Sequence, residues 1–176
     1  YGWLQLYEAG SVDAVHDGLG ERFVFVATGI KKYPCCLCSH AAIEATLQIV
    51  GRHAILPADV QSSRVVISPY MHRIVGARYA PGDDAQVAAQ FSIQYAVASA
   101  TRYRRFTLAE LDPALTGDPA LGAQARAVDV GTDDTWPGQT APAAVTIVTR
   151  DHGALSARID TLPGSPERPL TAGERR

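Results

Sequence analysis

Pro34 stands where two stretches of different periodicity meet, and it limits what this chain can build. A proline cannot donate to a strand ladder or continue a helix, and it holds the residue before it in extended geometry. On its N-terminal side, Arg22–Ile30 contains Phe-Val-Phe-Val, apolar on both faces, and reads as a central strand. Were that strand to run on to Tyr33, Lys31 and Tyr33 would share one face and Lys32 the other. On its C-terminal side, Ile43, Leu47 and Val50 fall at i, i+4 and i+7, the stripe of an amphipathic helix, with Ser39 as its N-cap and Gly51 as its stop. Between the two lies Ile30–His40, I-K-K-Y-P-C-C-L-C-S-H, which gathers most of the reactive side-chain types in one place.

Further along, Ser63–Ser68 reads as a strand, followed by a loop carrying Tyr70, His72 and Arg73. Asp83 and Gln86 have capping-box spacing at the start of a helix expected over Ala85–Thr101, with Val87, Phe91 and Tyr95 on one face. Short helices are expected near Leu108–Leu111 and Pro119–Ala127, and a strand from Val128. Residues 131–142 read as a loop. Ala144–Thr149 and Ala154–Asp160 read as a hairpin turning at Asp151-His152-Gly153. Strands and helices mix without strict alternation, which predicts an α+β fold: a small mixed or mostly antiparallel sheet with helices packed on it. One domain is expected over 1–162, with 163–176 a mobile tail. Residues 1–20 read as a short helix and a polar loop. The opening at Tyr1, inside an amphipathic pattern, reads as a piece of a longer protein.

A net charge of −2 exerts no global pull on nucleic acid or anionic membrane. No apolar run approaches the ~20 residues that span a bilayer. Three clustered cysteines cannot make a disulfide framework, so a reducing cytoplasm is expected. No glycine-rich nucleotide loop occurs, and no nucleotide cofactor is expected.

Three chemistries suit the Ile30–His40 segment. Cys35, Cys36, Cys38 and His40 could ligate a metal, but their spacing is poor and no second cysteine pair exists. A cysteine near Lys31 and a helix N-terminus could be a nucleophile with His40 as base, though no familiar motif surrounds it. Lys31 and His40 could instead perform acid–base chemistry on a carboxylate, removing a neighbouring proton. The same residues also read as solvated strand-end lysines and a first-turn helix histidine. His16, His53, His72 and His152 are scattered, and Arg102, Arg104 and Arg105 read as an anion patch or as complements to a helix C-terminus.

Four segments in order resemble the MmgE/PrpD family. They are I-K-K-Y-P-C-C-L-C-S-H-A-A-I-E-A (30–45), P-G-D-D-A-Q-V-A-A-Q-F-S-I-Q-Y-A-V-A-S-A (81–100), P-A-A-V-T-I-V-T-R-D-H-G (142–153) and L-P-G-S-P-E-R-P-L-T-A-G-E (162–174). The resemblance implies the smaller α+β lid of a cofactor-independent enzyme of the 2-methylcitrate dehydratase, cis-aconitate decarboxylase or iminodisuccinate epimerase kind. Such an enzyme transfers a proton next to a carboxylate of a small polycarboxylate. It further implies a large helical domain as partner, a homodimer, no metal, and no turnover by the lid alone. By the same resemblance Lys31 and His40 are catalytic, while Cys36 and the helix start at Ser39 contact substrate. Leu37 and Gln90 stand where many members have arginine and lysine, and that departure favours, as an alternative, a non-catalytic interaction module of the same fold.

Overall fold

The computed structural model describes residues 16–175, so the helix expected near the N-terminus lies largely outside the described residues. The architecture is α+β. Four strands, β1 (Val60–Ile67), β2 (Val128–Thr132), β3 (Ala143–Thr149) and β4 (Gly153–Ile159), form one sheet in the order β2-β1-β3-β4. β1 pairs with β2 in parallel; the β1–β3 and β3–β4 pairs are antiparallel. β3 and β4 make the expected hairpin, with Gly153 at φ +65 where its turn needs the left-handed region.

Burial alternates along β3: Ala143, Val145, Ile147 and Thr149 are buried, their neighbours less so. Val65 and Ile67 continue this inner face on β1. Helix α1 (His40–Arg52) lies on it against β3 and β4, and its Ile43, Ile49 and Val50 fill the core. The outer face is polar, with Thr146 paired to Ser156 at 2.8 Å and Arg64 to Asp129 at 3.3 Å. One covered face and one wet face is the arrangement expected of a largely antiparallel sheet.

Four expectations fail for local reasons. Arg22–Ile30 is not a strand: Val24–Ala27 forms a 3₁₀ turn, and Phe25 and Val26 are 80% and 82% exposed. Apolarity alone does not supply a strand with a ladder partner, and this segment pairs with no strand of the sheet. The Tyr70–Arg73 loop is instead helix α2 (Pro69–Val75), started by Ser68, which accepts from Met71 N at 3.2 Å, with Pro69 in the first turn. The single helix over 85–101 is two, α3 (Ala85–Gln90) and α4 (Ile93–Tyr103), because Ser92 caps the second by accepting from Tyr95 N at 3.1 Å. Val87 and Phe91 are therefore exposed while Tyr95 is buried. Asp84, not Asp83, caps α3. Two short helices, α5 (Pro113–Thr116) and α6 (Pro119–Arg126), lead into β2.

Residues beyond Pro163 make specific contacts. Ile30 N donates to Gly164 O at 2.8 Å, Gly164 N to Arg168 O at 2.7 Å, and Leu170 is buried.

Candidate functional site

The backbone from Lys31 to Cys35 bends rather than forming a strand. Two anchors hold it: Cys36 N donates to Gln90 O at 2.9 Å, and Gln90 Nε2 to Pro34 O at 3.4 Å. Gln90 thus works as a pin between α3 and the proline segment, and Leu37 packs against the core. After Cys36 a 3₁₀ turn, Leu37–Ser39, runs into α1. Ser39 is already helical (φ −93, ψ −15), and its side chain caps nothing, contrary to expectation. Its N–H is used by Cys36 O at 3.0 Å, which moves the free end of the helix upstream, toward Leu37 and Cys38.

The bend overturns the expected division of faces. Lys32 and Tyr33 turn the same way, and both reach Glu44 on α1: Tyr33 Oη donates to Glu44 Oε2 at 2.5 Å and Lys32 Nζ at 2.9 Å. Lys32 also donates to Glu174 Oε1 at 2.9 Å, and Arg168 Nη2 to Glu44 Oε1 at 3.1 Å. Burial raises the Glu44 pKa, but the bonds from Tyr33 and Lys32 and the charges of Lys32 and Arg168 outweigh it and hold the carboxyl below its ordinary value. Burial, reinforced by Glu44, pushes the Tyr33 phenol upward.

Lys31 is exposed, and its ammonium donates to Cys35 O at 3.1 Å. These are the two lysines of the chain, and they are unlike. Lys32 is locked between two carboxylates; Lys31 keeps capacity for a ligand. Amine acylation followed by peptide mass spectrometry is expected to modify Lys31 well before Lys32 in the native protein.

Lys31 is the common charged neighbour of the buried groups around it, favouring the thiolates of Cys35 and Cys38 and disfavouring protonated His40. It does not win. Burial, aided by Cys36, pushes both the Cys35 and Cys38 thiols up to about 12. Neither is a ready nucleophile. Each thiol also has a backbone acceptor: Cys35 Sγ donates to Cys36 O at 3.6 Å and Cys38 Sγ to Gln139 O at 3.3 Å. Among the described residues, no three His, Cys, Asp or Glu side chains are placed to hold a metal.

His40 is 0% exposed, its ring edge-on to Tyr33 with centroids 5.2 Å apart. Burial lowers its pKa to about 4; nearby carbonyls of Cys35 and Tyr33 partly oppose this, and the charge of Lys31 adds to it. The imidazole is therefore neutral at pH 7. Neither ring nitrogen makes a well-formed hydrogen bond to those carbonyls or to any other group, nor does the adjacent buried Ser39 Oγ. Buried polar atoms are normally paired, so these three neighbouring atoms call for an explanation. Cys36 is half-buried at its edge.

Of the four expected site residues, Lys31 is exposed, Cys36 half-buried, and Ser39 and His40 fully buried beneath them. Sequence reasoning missed Glu44, Arg168 and Glu174. One signal was available: Thr171 and Glu174 have capping-box spacing, and Thr171 N donates to Glu174 Oε2 at 3.0 Å. The arginine cluster is spent internally. Arg104, at φ +56, donates to Val50 O at 2.8 Å at the end of α1, Arg105 to Glu110 at 2.6 Å and Arg102 to Gln124 at 3.3 Å.

No curated protein matches this sequence. The family model described as the MmgE/PrpD C-terminal domain matches residues 33–176, from Tyr33 beside the lysine pair through the hairpin to the end of the chain. The chain belongs to the MmgE/PrpD family, as its C-terminal domain.

Proposed function

We propose that this domain is one wall of a cofactor-independent lyase or isomerase that moves a proton next to a carboxylate of a small polycarboxylate, as 2-methylcitrate dehydratase does. The observation that supports this best is Lys31: an exposed ammonium beside a neutral, buried His40 and an unpartnered Ser39. An ammonium orients a carboxylate as a point charge. It also stabilises the enolate-like charge that grows when the adjacent proton leaves. In this reading Lys31 meets the substrate, and Cys36 lines the rim. His40 and Ser39 lie behind it, offering neutral hydrogen-bonding groups rather than charge. A helical domain forms the opposing wall, the assembled protein is a dimer, and its reduced thiols suit the cytoplasm.

The test is turnover of citrate, 2-methylcitrate, cis-aconitate and iminodisuccinate, followed by NMR. The full-length protein is expected to convert at least one of them, and residues 1–176 alone none. Conversion by the isolated 176 residues, or by neither protein, would sink this reading. A second reading, a non-catalytic dimerisation module, is favoured by the internal roles of Leu37 and Gln90, which present no cation. It predicts a full-length dimer that shows no heat of binding with these four compounds in calorimetry.

A further inference from the structure

Glu44 collects three donors on two oxygens, from Tyr33, Lys32 and Arg168, and Lys32 is shared with Glu174. The four charged groups, two positive and two negative, balance. Both cations of the cluster are committed to carboxylates, so it holds Lys32 and Tyr33 in place. What it holds is specific. Lys32 and Tyr33 are the two residues immediately after Lys31. The residue immediately before it, Ile30, donates its N–H to Gly164 O at 2.8 Å. The same C-terminal segment supports both restraints: Arg168 braces Glu44 of α1 and Glu174 takes Lys32, while Gly164 N bonds Arg168 O and Arg168 N bonds Ser165 O at 3.1 Å. Gly164 sits at φ +94, and a Cβ there would run into the Ile30 carbonyl, so the turn closes on the lysine segment only with glycine. Tyr33, fixed by Glu44, is also the ring that walls in His40.

We infer that Glu44 is a positioning residue for Lys31, and that the turn from Leu162 to Glu174 is a clasp completing the same device. This rests on the proposed role of Lys31. The Lys31 side chain is long and has one hydrogen bond of its own, to Cys35 O. Its reach toward a substrate depends on where the backbone sets its Cα, and the clasp sets that on both sides. A site whose charged group shifts by about 1 Å loses on the order of 100-fold in rate.

The experiment is a double-mutant cycle in the full-length protein, using whichever of the four polycarboxylates is converted. Glu44→Gln, assayed where near-ultraviolet circular dichroism shows it folded, is expected to lower kcat/KM on the order of 100-fold. In a Lys31→Ala background the same change is expected to add nothing, since its effect passes through Lys31. Equal losses in both backgrounds would show a merely structural role and overturn the inference. If Glu44→Gln does not fold, Arg168→Gln, which removes the more exposed arm of the carboxylate, takes its place with a smaller loss of the same non-additive kind. A separate measurement needs no turnover. With two lysines in the chain, acylation of Lys31 can be followed alone, and Glu44→Gln is expected to speed it several-fold in the folded protein by freeing its backbone. An unchanged Lys31 rate overturns the inference. Faster Lys31 acylation without turnover of any probe would instead retain the clasp and remove the proposed reaction.

Discussion

Lys31→Ala in the full-length protein is expected to lower kcat/KM by about 10²–10⁴-fold, the range associated with a positioned proton-transfer group. Stability should hardly move, within about 0.5 kcal/mol, because the side chain is exposed and loses one bond to a carbonyl. That pairing of effects is the diagnostic. Lys32→Met should do the reverse first: it strips one donor from Glu44, a largely buried carboxylate, and one from Glu174, and lowers the melting temperature. Lys31→Arg separates two roles. A guanidinium keeps the charge that orients a carboxylate but does not give up a proton near neutral pH. Retained substrate affinity with lost turnover would assign proton relay to Lys31, whereas retained turnover would assign it electrostatics. An alanine variant with full kcat/KM would remove Lys31 from the mechanism.

What could be read from the sequence was local, and what could not was long-range. Helix α1 announced itself through Ile43 and Val50, and the β3–β4 hairpin through its alternation and the Asp151-His152-Gly153 turn, because neighbours in sequence carry both patterns. The break at Ser92 was written in a capping residue, but an apparently continuous stripe through Val87, Phe91 and Tyr95 outweighed it. Phe23–Val26 shows the reverse error: an apolar run resembles a strand whether or not a ladder partner exists. At the site, Lys31, Cys36, Ser39 and His40 were visible because ten residues contain them all. The clasp was not. Lys32 and Glu174 are 142 positions apart, and Arg168 and Glu44 are 124 apart. Pairings at that separation leave no periodicity, and a lone glutamate on a helix ordinarily reads as solvated. The inequivalence of the two lysines was foreseeable from alternation, yet its direction came out wrong. The bend at 31–35 replaces the strand on which that alternation rested.

His40 predicts how stability responds to acid. Its folded pKa is about 4 against an ordinary 6.5, with burial as the main cause. A depressed folded value means that the unfolded chain takes up the proton first as pH falls. The stability this histidine contributes is therefore complete above about pH 6.5 and is lost as pH drops toward 4. Integrated over that interval at about 1.4 kcal/mol per pH unit, the loss is about 3 kcal/mol. The carboxylates work in the same direction but later: Glu44 is also depressed, from 4.5, so its contribution is lost below that value. The window from pH 6.5 to 4.5 thus belongs chiefly to His40 among the shifted groups. Urea unfolding across that window should show a fall of roughly 2–3 kcal/mol in the native protein. His40→Gln, which keeps a polar side chain but cannot titrate, should flatten the profile even if it lowers stability throughout. A slope that survives the substitution would mean that the ring is not held neutral in the fold. That outcome would also remove the ground for placing an uncharged His40 behind Lys31.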